Sequence, residues 1–225
     1  MARVLVLTGD AAEELDSMYP IFRLREGGHE AVVAAPSRRA VKLVIHDFEP
    51  GWDAYTEKPG HQLPVDHAFA DVRPEDYDAL VIPGGRAPEY IRTDPDVARI
   101  VRHFFERDLP VGTVCHGPQV PAALGLLRGR TTAAFPPLKA DMEQAGATFV
   151  DAPDVVDVSM VSCRGWPDLP ECHVRSCGYW TAHASSRDAC PWVAPPSTPR
   201  PTDAHAVRTT HVPHDPRLRS RPGPG

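Results

Sequence analysis

A cysteine at the end of an apolar run is the residue best suited to chemistry. Cys115 follows Val111–Val114 and precedes His116, Gly117 and Pro118. A nucleophile elbow has this layout, because a tight turn from strand to helix lifts the nucleophile above the sheet. Gly117 permits close backbone approach, and Pro118 suits the first turn of a helix. We expect the helix end to lower the pKa of the Cys115 thiol; the alternative is a buried structural cysteine.

Polar residues after two further apolar runs are candidate partners of this cysteine. Glu13 and Glu14 follow the first run of the chain, and the turn Gly84-Gly85 leads to Glu89. Backbone N–H groups of a Gly-Gly turn can hold an oxyanion, and a carboxyl group aimed at a thiol can carry protons. Taken alone, Glu13 and Glu14 are more typical of ordinary acids in the first turn of a helix. Composition does not choose between these roles.

Alternating strands and helices are predicted to position these residues. Strands joined by single helices indicate an α/β fold: a parallel sheet with helices on both faces and ligands at the carboxyl ends of the strands. The segment 46–63 is rich in Gly, Pro and Asp and predicts an irregular excursion. Strands are predicted at Arg3–Leu7, Glu30–Ala35, Val41–Ile45, Ala79–Ile82, Val111–Val114, Thr131–Ala134, Thr148–Val150 and Met160–Ser162, and helices at 11–26, 94–105, 118–127 and 137–145.

Two motifs resemble those of the ThiJ/PfpI family in the class I glutamine amidotransferase-like superfamily. They are Pro-Gly-Gly-Arg-Ala-Pro-Glu at 83–89 and Cys-His-Gly-Pro-Gln at 115–119, and shorter matches extend the resemblance over residues 2–170. The resemblance implies a flavodoxin-like fold in a homo-oligomer (dimer, trimer or hexamer), with Glu89 approaching the histidine of an adjacent subunit. It implies Cys115, Glu13, His116 and Glu89 as catalytic residues, Gly84, Gly85 and Gly117 as the backbone around an oxyanion, and the Gly85 and His116 amides as its donors.

The segment 46–61 narrows the resemblance to one branch of the family. It is longer than in the archaeal PfpI proteases and is similar to the segment in plant tandem-domain members with glyoxalase activity. This implies a cofactor-free, glutathione-independent glyoxalase that attacks small 2-oxoaldehydes through the Cys115 thiolate, while Glu13 moves a proton between carbons. Protein deglycase activity would use the same atoms, so the expected partner is a small aldehyde or a glycated protein. His46 and His61 are expected on the pocket rim.

Two other functions stay open from the sequence. An intracellular cysteine peptidase could use Cys115, His116 and Glu89. A non-enzymatic redox or stress-response module could use a cysteine that oxidises readily. Glutamine amidotransferase chemistry is disfavoured, because no histidine after Cys115 begins the His-x-Glu motif that this class requires.

Length and composition exclude several other classes. The chain has 225 residues, 42% hydrophobic and 24% charged, which is typical of one soluble domain with a tail. No apolar run is long enough to cross a membrane, and the amino terminus is too briefly apolar for a signal peptide. The net charge of −6 argues against a general nucleic-acid binder. We therefore expect a cytoplasmic protein without membrane or nucleic-acid partners.

The composition changes near residue 170. Residues 1–170 carry 17 basic and 26 acidic side chains, whereas residues 171–225 carry seven arginines, four acids and nine prolines, with Leu218 as the one Leu, Ile, Phe or Met. This predicts a ThiJ/PfpI domain at 1–170 without the family's usual last helix, followed by a disordered tail at 171–225. We hypothesise a frameshift at about Cys172. A zinc site is disfavoured, since the spacing lacks a paired C-x-x-C: Cys172, His173, Cys177, His183 and Cys190.

Overall fold

Strands alternate with helices along most of the chain. The computed structural model describes residues 1–173. In this part the strands are β1 (Arg3–Leu7), β2 (Glu30–Ala35), β3 (Val41–Asp47), β4 (Thr56–Leu63), β5 (His67–Ala68), β6 (Ala79–Ile82), β7 (Val111–Val114), β8 (Thr131–Thr132), β9 (Thr148–Phe149), β10 (Val155–Asp157) and β11 (Met160–Cys163). The helices are α1 (Glu14–Glu26), α2 (Ala87–Ile91), α3 (Pro95–Glu106), α4 (Gln119–Ala123) and α5 (Lys139–Gln144).

Seven strands form the central sheet, in the order β10-β11-β7-β6-β1-β2-β5. All neighbours pair in parallel except β10, which is antiparallel to β11. Because β1, β6 and β7 are adjacent and parallel, their carboxyl ends meet at one edge of the sheet. The segments that follow these strands carry Glu13, Gly84 and Cys115. The flavodoxin-like α/β fold expected from the sequence is confirmed.

Both faces of the sheet are buried, which explains the unbroken apolar runs of its strands. On β1, Leu5 and Leu7 belong to the core on the α3 side, whereas Val4 and Val6 belong to the core on the α1 side. Helix α3 contributes one apolar face, which consists of Val97, Ile100, Val101, Phe104 and Phe105. The helix begins after Asp94, whose carboxylate accepts hydrogen bonds from the amides of Asp96 (2.8 Å) and Val97 (3.4 Å).

The predicted irregular excursion at 46–63 is wrong in part, because most of it is a β-hairpin. Strands β3 and β4 pair antiparallel, with His46 opposite Glu57. Strand β4 has the sequence TEKPGHQL and is mostly exposed, so it lacks the alternating apolar pattern by which strands are recognised. Pro59 and Gly60 within it are tolerated because β4 has only one neighbour.

Helix α4 and strand β8 are much shorter than predicted. Helix α4 covers residues 119–123 only, and Gly125 follows in the left-handed region at φ +72°. The strand predicted at Thr131–Ala134 is the short β8, which pairs with β9 outside the central sheet. Gly125 ends α4, because its left-handed backbone breaks the regular hydrogen bonding of the helix.

The described chain ends in helical residues 169–173. Cys172 and His173 are buried there, and the His173 ring meets Tyr19 edge-on with centroids 5.8 Å apart. The tail predicted at 171–225 lies outside the described residues from position 174 onward. Within residues 1–173, no helix is long and apolar enough to cross a membrane.

Candidate active site

The elbow at Cys115 is a strained turn directly after β7. Cys115 has φ +57°, a left-handed value that costs an L-residue with a Cβ about 1–2 kcal/mol. The Gly117 amide closes the turn by donating to the Val114 carbonyl at 2.7 Å. A Cβ on Gly117 would lie 2.2 Å from the Ile82 carbonyl oxygen, so the turn requires glycine. Strain of this kind recurs at functional sites, and here it holds the thiol at the edge of the sheet.

The Cys115 thiol is buried, and this reverses the pKa direction expected from sequence. Burial raises the pKa of the thiol well above its usual range, and the electrostatic effect of the neighbouring Asp16 carboxyl group acts in the same direction. Backbone amides of Gly85 and His116 donate toward the sulfur and oppose this rise. Helix α4 starts only at Gln119 and has five residues, so its end contributes too little to outweigh burial. The resting thiol therefore needs a base.

His116 is placed to act as that base. Its Nδ1 lies 3.2 Å from the Cys115 sulfur. Burial lowers the pKa of His116 to about 4, so the ring is neutral at neutral pH and one nitrogen has a free lone pair. The ring stacks on Phe135 with centroids 5.3 Å apart, which fixes its orientation. A neutral, oriented imidazole can accept the thiol proton.

Glu13 is a buried carboxyl group at the start of α1. It caps the helix, with Oε2 accepting a hydrogen bond from the Asp16 amide at 2.7 Å. Its side chain is 1% exposed, and burial raises the pKa of Glu13 to about 7. The amides of His46 and Leu15 also point toward the carboxylate. A carboxyl group with a pKa near neutrality can both accept and donate a proton at physiological pH.

Asp16 is a site residue that the sequence analysis missed. It is fully buried beside Cys115 and the backbone of Gly84, and burial raises its pKa well above the usual range. The Cys115 side chain and the Gly84 backbone both interact with its carboxyl group. A protonated Asp16 is therefore a hydrogen-bond donor next to the sulfur. Asp16 could have been predicted from its spacing, because a residue three positions after Glu13 lies on the same face of a helix.

Glycines at the ends of β6 and β7 allow these groups to come together. A Cβ on Gly84 would lie 2.4 Å from the Cys115 Cβ and 2.5 Å from the Asp16 carboxyl. Gly85 has φ +77°, and a Cβ there would lie 2.2 Å from the Glu13 nitrogen. Of the predicted oxyanion glycines, Gly85 has its amide directed at the sulfur. Gly84 leaves room for Cys115 and Asp16 to approach each other. The Gly117 amide donates to the Val114 carbonyl within the turn and does not face the sulfur.

A cavity of about 310 Å³ opens over the thiol. Its mostly apolar wall suits a small substrate. His46, predicted on a pocket rim, lies in this wall and is 5% exposed. The residues that form the wall include Glu13, His46, Phe48, Tyr55, Cys115 and Phe135, together with Asp151, Arg164, Trp166 and Asp168.

The predicted site residues His61 and Glu89 are not part of this wall. His61 is 76% exposed and pairs through Nδ1 with the Glu14 carboxylate at 3.0 Å. Glu89 lies in α2, and no hydrogen bond or ion pair among residues 1–173 joins its side chain to His116 or Cys115. Its charge instead acts on Tyr55, whose pKa is raised first by burial and then by neighbouring negative charges.

Within residues 1–173, no three His, Cys, Asp or Glu side chains lie close enough together to hold a metal ion. Three of the residues weighed for zinc, Cys177, His183 and Cys190, lie outside the described part of the chain.

The sequence matches the family model described as the DJ-1/PfpI family over residues 2–176. The chain belongs to the DJ-1/PfpI family. It is 41% identical over 167 residues to a deglycase of Pyrococcus abyssi, covering 74% of this chain and 92% of that protein. It is 38% identical over 177 residues to protein DJ-1 homolog D of Arabidopsis thaliana, covering 75% of this chain and 45% of that protein.

A solved structure agrees with this family assignment. It is a two-domain protein from Anabaena variabilis with DJ-1/ThiJ/PfpI-like and ferritin-like domains. The TM-score is 0.68 at 29% identity, over 84% of this chain and 52% of that one.

Proposed function

We propose that the protein is a cofactor-free, glutathione-independent glyoxalase and deglycase that acts on 2-oxoaldehydes and their adducts through Cys115. The observation that carries this proposal is the grouping of Cys115, His116 and Glu13. The Cys115 sulfur lies 3.2 Å from the His116 base, and Glu13, with a pKa of about 7, lines the same cavity as the thiol. The name deglycase on the Pyrococcus abyssi relative supports the same assignment.

The geometry accounts for each step on methylglyoxal. His116 accepts the thiol proton, and the sulfur attacks the aldehyde carbon C1 to give a hemithioacetal. Glu13 removes the hydrogen of C1 and returns a proton to C2, which converts the hemithioacetal through an enediol into a thioester. Water then cleaves the C1–sulfur bond, releasing lactate and the thiol. The Gly85 and His116 amides stabilise negative charge at the oxygen of C1 during addition and hydrolysis.

A deglycase reaction would begin at the same atoms. The hemiaminal or hemithioacetal that a 2-oxoaldehyde forms with a protein side chain carries the same two adjacent oxygenated carbons. A cavity of about 310 Å³ fits such a fragment, and its open side admits the attached side chain.

The test is conversion of methylglyoxal to lactate without glutathione by wild type, Cys115→Ala and the matched control Cys163→Ala. Cys163 is also a buried free thiol, but it is not part of the cavity wall. We expect turnover by wild type and Cys163→Ala, and none above buffer for Cys115→Ala. An inactive wild type, or an active Cys115→Ala, contradicts the proposal. Cleavage of casein in place of methylglyoxal turnover would assign a peptidase instead.

We also infer a homo-oligomer and a cytoplasmic location. Support for the oligomer comes from Phe48, Trp52 and Tyr90, whose side chains are exposed by 60%, 66% and 69%. Such large exposed aromatics close to a site are typical of surfaces that a second copy covers. A nucleophilic cysteine that must stay reduced favours a reducing compartment.

A further inference from the structure

The β3–β4 hairpin delivers a buried histidine to the Cys115 cavity. His46 is the sixth residue of β3, its ring is 5% exposed, and it lines the same cavity as Cys115 and Glu13. Its backbone amide also points toward the Glu13 carboxylate. The hairpin is anchored to the loop before α1, where the Val44 amide donates to the Ala12 carbonyl at 2.9 Å. Main chain and side chain of His46 therefore both belong to the site.

A carboxylate and an arginine orient the His46 ring. Its Nε2 lies 3.1 Å from Glu57 Oε2. Glu57 also accepts two hydrogen bonds from Arg86, at 2.8 Å from Nε and 2.6 Å from Nη2. These bonds, with the neighbouring His46, lower the pKa of Glu57 to about 2, so this carboxylate is ionised and can only accept. Nε2 of His46 therefore carries a proton, and Nδ1 is the ring nitrogen left for a substrate.

Tyr55 fixes the plane of the same ring. The two rings stack with centroids 4.2 Å apart and an interplanar angle of 28°. Arg86 directly follows the Gly84-Gly85 turn. The His46–Glu57–Arg86 contacts thus join the hairpin to the loop that supplies an oxyanion amide, and they hold the ring at the cavity in one orientation.

The proposed reaction also needs a proton transfer between the two substrate oxygens, for which the other titratable side chains of the cavity wall are not available. His116 accepts the proton of the thiol, and Glu13 moves a proton from C1 to C2. A further proton must pass from the oxygen on C1 to the oxygen on C2. Among the remaining titratable side chains of the cavity wall, Arg164 is paired with Asp168 at 2.8 Å and with Asp151 at 2.9 Å. Burial raises the pKa of Tyr55, which makes its phenol a poor proton carrier at neutral pH. His46 alone is oriented and unpaired at Nδ1 within residues 1–173.

We propose that His46 is the catalytic residue that moves protons between the two substrate oxygens, with Glu57 and Arg86 as its positioning residues. This assignment rests on the proposed function. When Glu13 takes the hydrogen of C1, Nδ1 of His46 accepts the proton of the C1 hydroxyl and passes it to the oxygen of C2, giving an enediolate with its negative charge on the oxygen of C1. When Glu13 returns its proton to C2, the thioester carbonyl forms at C1. His46 ends as it began, and Glu57 carries the countercharge while Nδ1 is protonated.

The experiment compares methylglyoxal turnover by wild type, His46→Gln, Glu57→Gln, the double variant and His46→Ala. The matched control is His103→Gln, on the surface of α3 and away from the cavity. We expect kcat to fall about 100-fold in His46→Gln, the lower end of what general acid–base catalysis contributes, with KM changed less than threefold. Glu57→Gln should lose about tenfold. The double variant should be no slower than His46→Gln, because the two residues act as one unit.

Rescue of kcat by added azoles distinguishes a catalytic role of His46 from a purely structural one. In His46→Ala, imidazole and 4-methylimidazole should restore part of kcat, and the rescued rate should follow the basicity of the azole. Thermal unfolding of each variant confirms that it is folded. If His46→Gln does not fold, the azole series on His46→Ala and the loss in Glu57→Gln decide the question, since Glu57 is about one-third exposed and its isosteric change disturbs packing least.

The outcomes separate this inference from the proposed function. If the wild type is active and His46→Gln stays within threefold of its rate, the proposed role of His46 is wrong but the proposed function stands. Losses that add up in the double variant, or an azole series without rescue, also overturn it. An inactive wild type overturns the proposed function, and the His46 assignment with it.

Discussion

Replacement of Glu13 by glutamine should abolish turnover and yet stabilise the protein at alkaline pH. Burial raises the pKa of Glu13 from its ordinary 4.5 to about 7. One pKa unit corresponds to about 1.4 kcal/mol, so ionising this buried group costs the folded state about 3 kcal/mol. Glutamine is nearly isosteric, and its side-chain oxygen can keep the 2.7 Å hydrogen bond from the Asp16 amide. The variant therefore removes the cost of ionisation without removing the helix cap.

The sign of the pH dependence follows from proton binding. Between pH 4.5 and 7 the unfolded chain has released the Glu13 proton while the folded protein still holds it, so wild-type stability falls as pH rises through this window. Glu13→Gln has no such proton. The variant's gain in free energy of unfolding over wild type should be about 3 kcal/mol larger at pH 8 than at pH 4.5. The ionised carboxylate is the form that acts as a base, and it is also the form that burial disfavours. Activity and stability therefore oppose each other at Glu13.

The assay is urea unfolding of both proteins at pH 4.5 and pH 8, with methylglyoxal turnover measured in parallel. Glu14→Gln is the matched control. Burial acts to raise the pKa of Glu14, but hydrogen bonds from His61 outweigh it and lower the pKa below its ordinary value. Glu14 is therefore mostly ionised in the folded protein and at least half ionised in the unfolded chain at both pH values, so the stability difference that its replacement causes should change by less than about 0.5 kcal/mol between them. A Glu13→Gln difference that changes by less than about 1 kcal/mol between the two pH values would show that Glu13 does not hold its proton in the folded protein up to neutral pH.

Two further predictions concern the backbone. Gly117→Ala should destabilise the domain by about 3 kcal/mol in urea unfolding, since its Cβ would meet the Ile82 carbonyl at 2.2 Å. Gly125→Ala, at φ +72° in open space, should cost only about 1 kcal/mol, and equal losses would contradict this account. Val158→Gly should raise stability by about 1 kcal/mol, because Val158 is exposed and left-handed at φ +51° in the β10–β11 turn. An unchanged or lower melting temperature would count against it.

The elbow and the central sheet were predictable from sequence because their signals are local. An apolar run that ends at Cys115-His116-Gly117 encodes both a buried strand and a tight turn. The same holds for β1, β2 and β6, whose apolar runs are uninterrupted because both faces of the sheet are covered. The β3–β4 hairpin was only partly predictable, because β4 is polar and has a single neighbouring strand.

The properties of the site also divide into those that the sequence contains and those that depend on the fold. The sequence determined which side chains are available at the strand ends: a thiol and imidazole at Cys115-His116, a carboxyl at Glu13, and glycines that leave room for them. The tertiary structure decided how these groups behave. It buried the Cys115 thiol, which raises its pKa where a helix end alone would lower it. It also placed Asp16 beside the sulfur.

The hairpin adds a contribution that no local pattern contains. It brings His46 into the cavity wall and pairs it with Glu57, eleven positions later in the chain. Arg86, from the loop after β6, completes the contact. Residue types and short spacings are properties of the sequence, but desolvation and charge pairing depend on which distant segments pack together. For this reason the nucleophile could be identified from the sequence, whereas its protonation state and its partners depend on the folded arrangement of the chain.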